Sequence, residues 1–80
     1  MSHNSHRKAV RDPTAPLPHR ASHARSCALH VAARLGLQRD QVLAIVERKT
    51  GLSLVQVTND RDLMAAFECM EALTSQTLDD

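Results

Sequence analysis

The stretch Ala28–Glu47, ALHVAARLGLQRDQVLAIVE, constrains the fold of this chain more than any other feature. Its apolar residues recur at helical spacing on both sides of Gly36, and glycine readily adopts the left-handed conformation that ends a helix. Ala32 is small enough for two helices to cross closely. The stretch therefore predicts a helix-turn-helix unit, a scaffold that serves DNA reading, protein docking and plain structure alike. The residues expected to face inward are Val31, Leu35, Leu37, Val42 and Ile45.

The flanking sequence extends this unit to an all-α, small three-helix domain. We expect a first helix from residue 21 or 22, capped by Ser22, to Leu35, and a second from residue 39 or 40 to Thr50. A third helix begins after one of the capping residues 58–60 and ends near residue 74. The GLSLVQV segment before it is interpreted as a packed connection, with strand pairing between chains as the alternative. The predicted core stripes are Ala24, Ala28, Val31 and Leu35, then Val42, Leu43, Ile45 and Val46, then Leu63, Phe67, Met70 and Leu73.

Charge divides the chain into a basic arm and an acidic body. Residues 1–26 carry five Lys and Arg and one Asp, a net +4, whereas residues 27–80 carry five Lys and Arg and eight Asp and Glu, a net −3. Residues 1–26 also contain three prolines and four histidines but almost no large apolar residue, so little burial would offset the entropy cost of ordering them. We therefore predict a disordered basic arm over residues 1–21, a domain over 22–76 and a flexible acidic C-terminus over 77–80.

Composition limits the function classes. The chain has 80 residues and one aromatic residue of the Phe, Tyr and Trp class, Phe67, which argues against a large active-site cleft and against a stacking platform for single-stranded nucleic acid. No apolar run approaches the roughly 20 residues of a membrane span, and the N-terminus lacks a signal-peptide pattern. These features favour a cytoplasmic protein that contacts no membrane. Cys27 and Cys69 then read as small buried hydrophobes, a disulfide between them being less favoured.

The run from Leu29 to Leu73 resembles the core of the GemA family, small regulatory proteins of Mu-type phages. The resemblance covers about residues 26–75 and implies a phage or prophage protein that modulates gene expression or DNA topology, without catalytic residues. Two departures are the absence of an aromatic residue early in the second helix, where Val42 and Leu43 stand, and a TNDRDL entry to the third helix that is one residue longer. The residues that carry the resemblance are Leu29, His30, Val31, Ala32, Leu35, Gly36, Leu37, Thr50, Gly51, Ser53, Val57 and Thr58.

A metal site and a catalytic site are both disfavoured. His19, His23, Cys27 and His30 recur at helical spacing, but ligands on one helix face rarely close a tetrahedron, and the paired ligand sets of structural zinc sites are absent. Ser26, Cys27 and His30 lack an orienting acid and an oxyanion site. We expect no cofactor and no enzymatic activity.

Two binding functions therefore remain. The first is a small regulator that docks a host or phage protein, or a second copy of itself, through surplus apolar residues, which are Leu29, Leu52, Leu54 and Val55. The alternative is a helix-turn-helix transcription regulator on double-stranded DNA, in which the arm follows the phosphates and the second helix reads bases. Its candidate residues are Arg7, Lys8, Arg11, Arg20, Arg25, Gln38, Arg39, Gln41 and Arg48. Asp40 and Glu47 on the same helix would oppose DNA binding.

Overall fold

The computed structural model describes residues 3–78, with side chains described for residues 5–74. This part of the chain is all-helical, which confirms the predicted class, and it contains four helices rather than three. The helices are α1 (His3–Val10), α2 (Leu17–Leu35), α3 (Arg39–Thr50) and α4 (Asp60–Leu78). α2, α3 and α4 pack against one another, and α1 packs along α2.

The helix ends follow local chemistry. Gly36 and Gly51 adopt positive φ angles of 71° and 74°, and the Gly36 and Gly51 amides donate to the carbonyl oxygens of Ala32 and Glu47, as expected for helix C-caps. Asn59 caps α4, because its Oδ1 accepts a hydrogen bond from the Asp62 amide at 2.8 Å.

The beginning of α2 differs from the prediction. α2 starts at Leu17 behind Pro16, with a proline in its first turn, so Ser22 lies inside the helix and is not its cap. Proline suits this position because it removes an amide that would have no helical partner. α4 also runs beyond residue 74 to Leu78, which places residues 77–78 of the predicted flexible C-terminus in a helix, and residues 79–80 lie outside the described residues.

The hydrophobic core lies between α2, α3 and α4 and contains most of the predicted stripes. Leu35, Leu43 and Leu73 pack against it while remaining half-buried, and Ile45 is half-buried as well. Residues 52–59 form no strand and serve as the expected packed connection. The fully buried apolar residues are Val10, Ala21, Ala24, Cys27, Ala28, Val31, Ala32, Val42, Val46, Leu54, Leu63, Ala66, Phe67 and Met70.

The segment predicted to be a disordered arm, residues 1–21, contains helix among its described residues. Residues 3–10 form α1, residues 17–21 form the first turn of α2, and Val10 is fully buried. The intervening turn is held by Asp12, whose Oδ1 accepts hydrogen bonds from the Thr14 amide at 2.9 Å and hydroxyl at 2.6 Å. These hydrogen bonds, the hydroxyl first, lower the pKa of the Asp12 carboxyl.

Candidate functional site

Arg20 is the buried arginine of the N-terminal segment. Arg20 is 4% exposed, and its Nε donates a hydrogen bond to the Val10 carbonyl oxygen at 2.8 Å. Its Nη1 pairs with Oδ1 of Asp60, the first residue of α4, at 2.5 Å. One guanidinium group therefore joins the end of α1, the first turns of α2 and the start of α4.

The other arginines of this segment also have partners within the fold. Arg7 Nε lies 2.9 Å from Glu71 Oε1, and both atoms are shielded from solvent, so each is the other's charge partner. The Arg11 guanidinium carbon lies 5.5 Å from the centre of the Phe67 ring, within the range of a cation–π contact. Arg25 Nη1 donates to the Leu54 carbonyl oxygen at 3.3 Å.

These contacts bear on the prediction that the N-terminal basic residues bind DNA phosphates. Of its five basic residues, Arg7, Arg11, Arg20 and Arg25 contact protein groups, and Lys8 is exposed. A side chain that neutralises DNA phosphates must reach solvent, because counterion release is what drives such binding. The structure therefore assigns Arg7, Arg20 and Arg25 to internal packing rather than to a free basic arm.

The residues that would contact DNA bases, if the chain were a transcription regulator, are exposed on α3 or directly before it. These residues are Gln38, Arg39, Gln41 and Arg48. The Gln41 side chain is partly committed, since its Oε1 accepts a hydrogen bond from the Gln38 amide at 2.8 Å as part of the helix cap. Arg39 Nη2 lies 3.7 Å from Asp40 Oδ1, and Glu47 is exposed on the same helix. The face presents mixed charge.

The four candidate docking residues separate into two pairs. Leu54 is 1% exposed and Leu52 packs against the core, so Leu54 cannot anchor a partner. Leu29 and Val55 are the large apolar residues that stay exposed in the described part of the chain, at 56% and 63%. Sequence reasoning grouped all four because apolar spacing does not show which residues of a loop turn inward.

Leu29 lies on a face of α2 that contains small residues and one arginine. Residues 22, 25, 26, 29 and 33 share this face at three- and four-residue spacing, and Ser22, Arg25, Ser26 and Ala33 flank the leucine. The contact of Arg25 with the Leu54 carbonyl ties the loop that carries Val55 to the turn of α2 just before Leu29. The two exposed apolar residues therefore lie on elements that are joined by a hydrogen bond.

Histidines of the first two helices lie together, an arrangement that the sequence reading missed for His6. His6 Nδ1 and His23 Nδ1 are 2.8 Å apart, and His23 Nε2 and His19 Nε2 are 3.2 Å apart. The ring centres of His6 and His30 are separated by 6.5 Å. Burial, and then the charges of His19 and His6, lower the pKa of His23. Helical spacing placed His19 and His23 on one face, but only the docking of α1 brings His6 to them.

Among the described residues, no group of three or more His, Cys, Asp or Glu side chains is arranged to hold a metal ion. Cys27 and Cys69 are both free thiols, the first buried and the second half-buried. Burial raises the pKa of the Cys27 thiol to about 11, with a further contribution from the Glu71 carboxylate. Cys27 therefore behaves as a small core residue, as predicted.

None of the helices within residues 3–78 has the length and apolar character needed to cross a membrane. Comparison with known proteins finds no matching family model, no matching curated protein and no matching solved structure. The resemblance to the GemA family stays a prediction from the sequence.

Proposed function

We propose that this chain is a small regulatory protein that acts by docking a protein partner. The proposal is supported by the exposure of Leu29 and Val55 on adjoining elements, since the other large apolar residues among residues 5–74 are buried fully or in part. Exposed apolar residues of this kind are typical anchors of an interface when they lie on a rigid helix. The phage or prophage context that the GemA resemblance implies is part of this proposal.

The chemistry of the surface indicates what kind of partner would fit. The flanking Ser22, Ser26 and Ala33 are small, so a partner's backbone can approach α2 closely around Leu29. Of the three arginines of α2, Arg20 and Arg25 have internal partners and Arg34 is exposed, and α2 contains no acidic residue. Charge complementarity therefore favours an apolar segment with acidic neighbours, such as one face of an amphipathic helix of another protein.

The test is affinity capture from a nuclease-treated lysate with the full-length protein and two pairs of variants. Leu29→Asp on α2 is matched by Ala44→Asp, since Ala44 is also an exposed helical residue but lies on α3. Val55→Asp is matched by Gln56→Asp in the same loop. We expect the first member of each pair to lose a captured protein that the second member retains, with all four variants equally helical by circular dichroism. Capture that survives Leu29→Asp and Val55→Asp would refute the proposal.

DNA reading by α3 is the second candidate, because Gln38, Arg39 and Arg48 are exposed along it. It predicts that Arg39→Ala and Arg48→Ala each reduce discrimination between duplex sequences by about 1–3 kcal/mol. Since most arginines of the N-terminal segment have internal partners, few phosphates would be neutralised, and log K should depend on log salt with a slope much shallower than the roughly −3.6 of a four-phosphate arm. A steep slope, with sequence preference, would favour this candidate over protein docking.

A further inference from the structure

The contact between α1 and α2 contains an arrangement whose stability depends on its protons. The three imidazoles of His6, His19 and His23 form a continuous group, joined by the N···N contacts of 2.8 Å and 3.2 Å. The ring centres of His6 and His23 are 5.0 Å apart, and those of His19 and His23 are 4.7 Å apart. His6 belongs to α1 and the other two to α2, so the group spans the junction of the two helices.

The number of protons on His6 and His23 determines whether their ring nitrogens can remain in contact. Two ring nitrogens 2.8 Å apart need one proton between them, because one nitrogen donates and the other accepts. The His6–His23 contact therefore holds when both rings are neutral or when one is protonated. When both are protonated, two N–H groups face each other and two positive charges meet, so the contact is lost.

The surroundings offer little compensation for that second charge. The groups that act on the charge of His23 are the neighbouring histidines, and His30 lies beside His6 on the same side. On α1 the adjacent charge is Arg7, which is paired with Glu71 of α4, and on α2 it is Arg20, which is paired with Asp60. Arg11, in the following turn, lies over Phe67. Protonation thus adds positive charge between two helices that contain no Asp or Glu.

α1 is the element that such a charge can displace. It is eight residues long and contributes Val10 to the core. Besides packing along α2, it is held by the Arg7–Glu71 pair and by the hydrogen bond from Arg20 to the Val10 carbonyl. A single short helix can open locally at a lower free energy than the whole domain.

We propose that His6, His19 and His23 form an acid-sensitive histidine clasp, which holds α1 on α2 near neutral pH and releases it when both His6 and His23 become protonated. Release uncovers the face of α2 on which α1 packs. The clasp is independent of the docking surface around Leu29.

The direction in which pH changes the docking of α1 follows from the linkage between proton binding and docking. A histidine whose pKa is lowered in the folded state leaves docking unaffected above its ordinary pKa and weakens docking as the pH falls below that value. Because the contact is lost when both rings are charged, the docked pair binds fewer protons than the released pair, and the equilibrium constant for release rises as the pH falls from 7.5 to 5.0.

The experiment measures amide hydrogen-exchange protection factors by NMR on the full chain, corrected for intrinsic exchange. The amides of residues 8–11, including the Arg11 amide that donates to the Arg7 carbonyl, report on α1, and those of α3 serve as an internal reference. We expect α1 protection to fall at least about threefold between pH 7.5 and 5.0 while α3 protection stays constant. A change below threefold in α1, or a parallel loss in α3, would overturn the proposal.

Two variants and a control separate the clasp from general acid effects. His6→Phe keeps a ring against His23 but removes the titrating nitrogens, so α1 should stay docked with no pH dependence. His23→Gln removes the central imidazole and should also abolish the pH dependence. His30→Gln, the control, removes a neighbouring imidazole and should leave most of the response. A His6→Phe protein that shows the wild-type pH dependence would refute the clasp even if His23→Gln failed to fold.

Discussion

Replacing Arg20 with methionine tests the internal role of the N-terminal arginines. Methionine keeps the unbranched apolar stem of the side chain and removes its hydrogen-bond donors. The buried hydrogen bond from charged Nε to the Val10 carbonyl contributes about 1.5–3 kcal/mol. The pair with Asp60 adds no more than about 0.5 kcal/mol, because the Asp60 side chain is 62% exposed and remains hydrated without its partner.

We therefore expect Arg20→Met to lower the free energy of unfolding by about 1.5–3.5 kcal/mol. A domain of this size has about 4–12 kcal/mol in total, so the variant should lose a large fraction of its stability. The corresponding fall in Tm is about 10–25 °C. Urea denaturation followed by circular dichroism measures the change, and hydrogen exchange of residues 8–11 shows whether α1 is released.

The matched control is Arg39→Met, which removes an exposed guanidinium group whose nearest charge partner is 3.7 Å away. Its cost should stay within about 0.5 kcal/mol. If Arg20→Met also cost less than about 1 kcal/mol, the buried hydrogen bond would contribute little and the assignment of Arg20 to internal packing would be wrong.

Three further predictions concern the core, the helix ends and the thiols. Phe67→Ala removes the largest buried side chain and should cost about 3–5 kcal/mol in urea denaturation, whereas a cost below about 1 kcal/mol would contradict its burial. Gly36→Ala and Gly51→Ala should each lower the free energy of unfolding by about 1 kcal/mol, because alanine is strained at positive φ although both sites have open space; unchanged Tm values would argue against the left-handed caps. At pH 8 the Cys27 thiol, with its pKa of about 11, should stay protonated and resist a disulfide reagent that reacts with Cys69, and labelling of both at equal rates would show that Cys27 is accessible.

The local features of the fold were predictable from the sequence. Helical periodicity identified the buried faces of α2, α3 and α4, since a helix that packs on one side must repeat apolar residues every three or four positions. The two glycines marked the ends of α2 and α3 because glycine adopts positive φ at little cost. These signals depend on neighbours within about four residues, so no tertiary contact is needed to read them.

The tertiary structure decided what the N-terminal segment does. Composition predicted disorder, because residues 1–21 contain few large apolar side chains. α1 instead docks through Val10 and through partners distant in sequence, such as Glu71 for Arg7 and Phe67 for Arg11. Pairing between residues some sixty positions apart leaves no periodic pattern, so a basic segment that would bind phosphates and one that ties a fold together look alike in the sequence.

For the candidate functional residues too, the sequence predicted some features and only the packing of the helices decided the others. Apolar composition indicated that residues 52–55 exceeded the needs of the core, but only packing showed that Leu54 is buried while Val55 is exposed. Helical spacing likewise aligned His19 with His23, and only the docking of α1 added His6. A one-dimensional pattern determines which residues share a helix face, whereas the choice of what covers that face depends on the free energy of packing whole elements against each other.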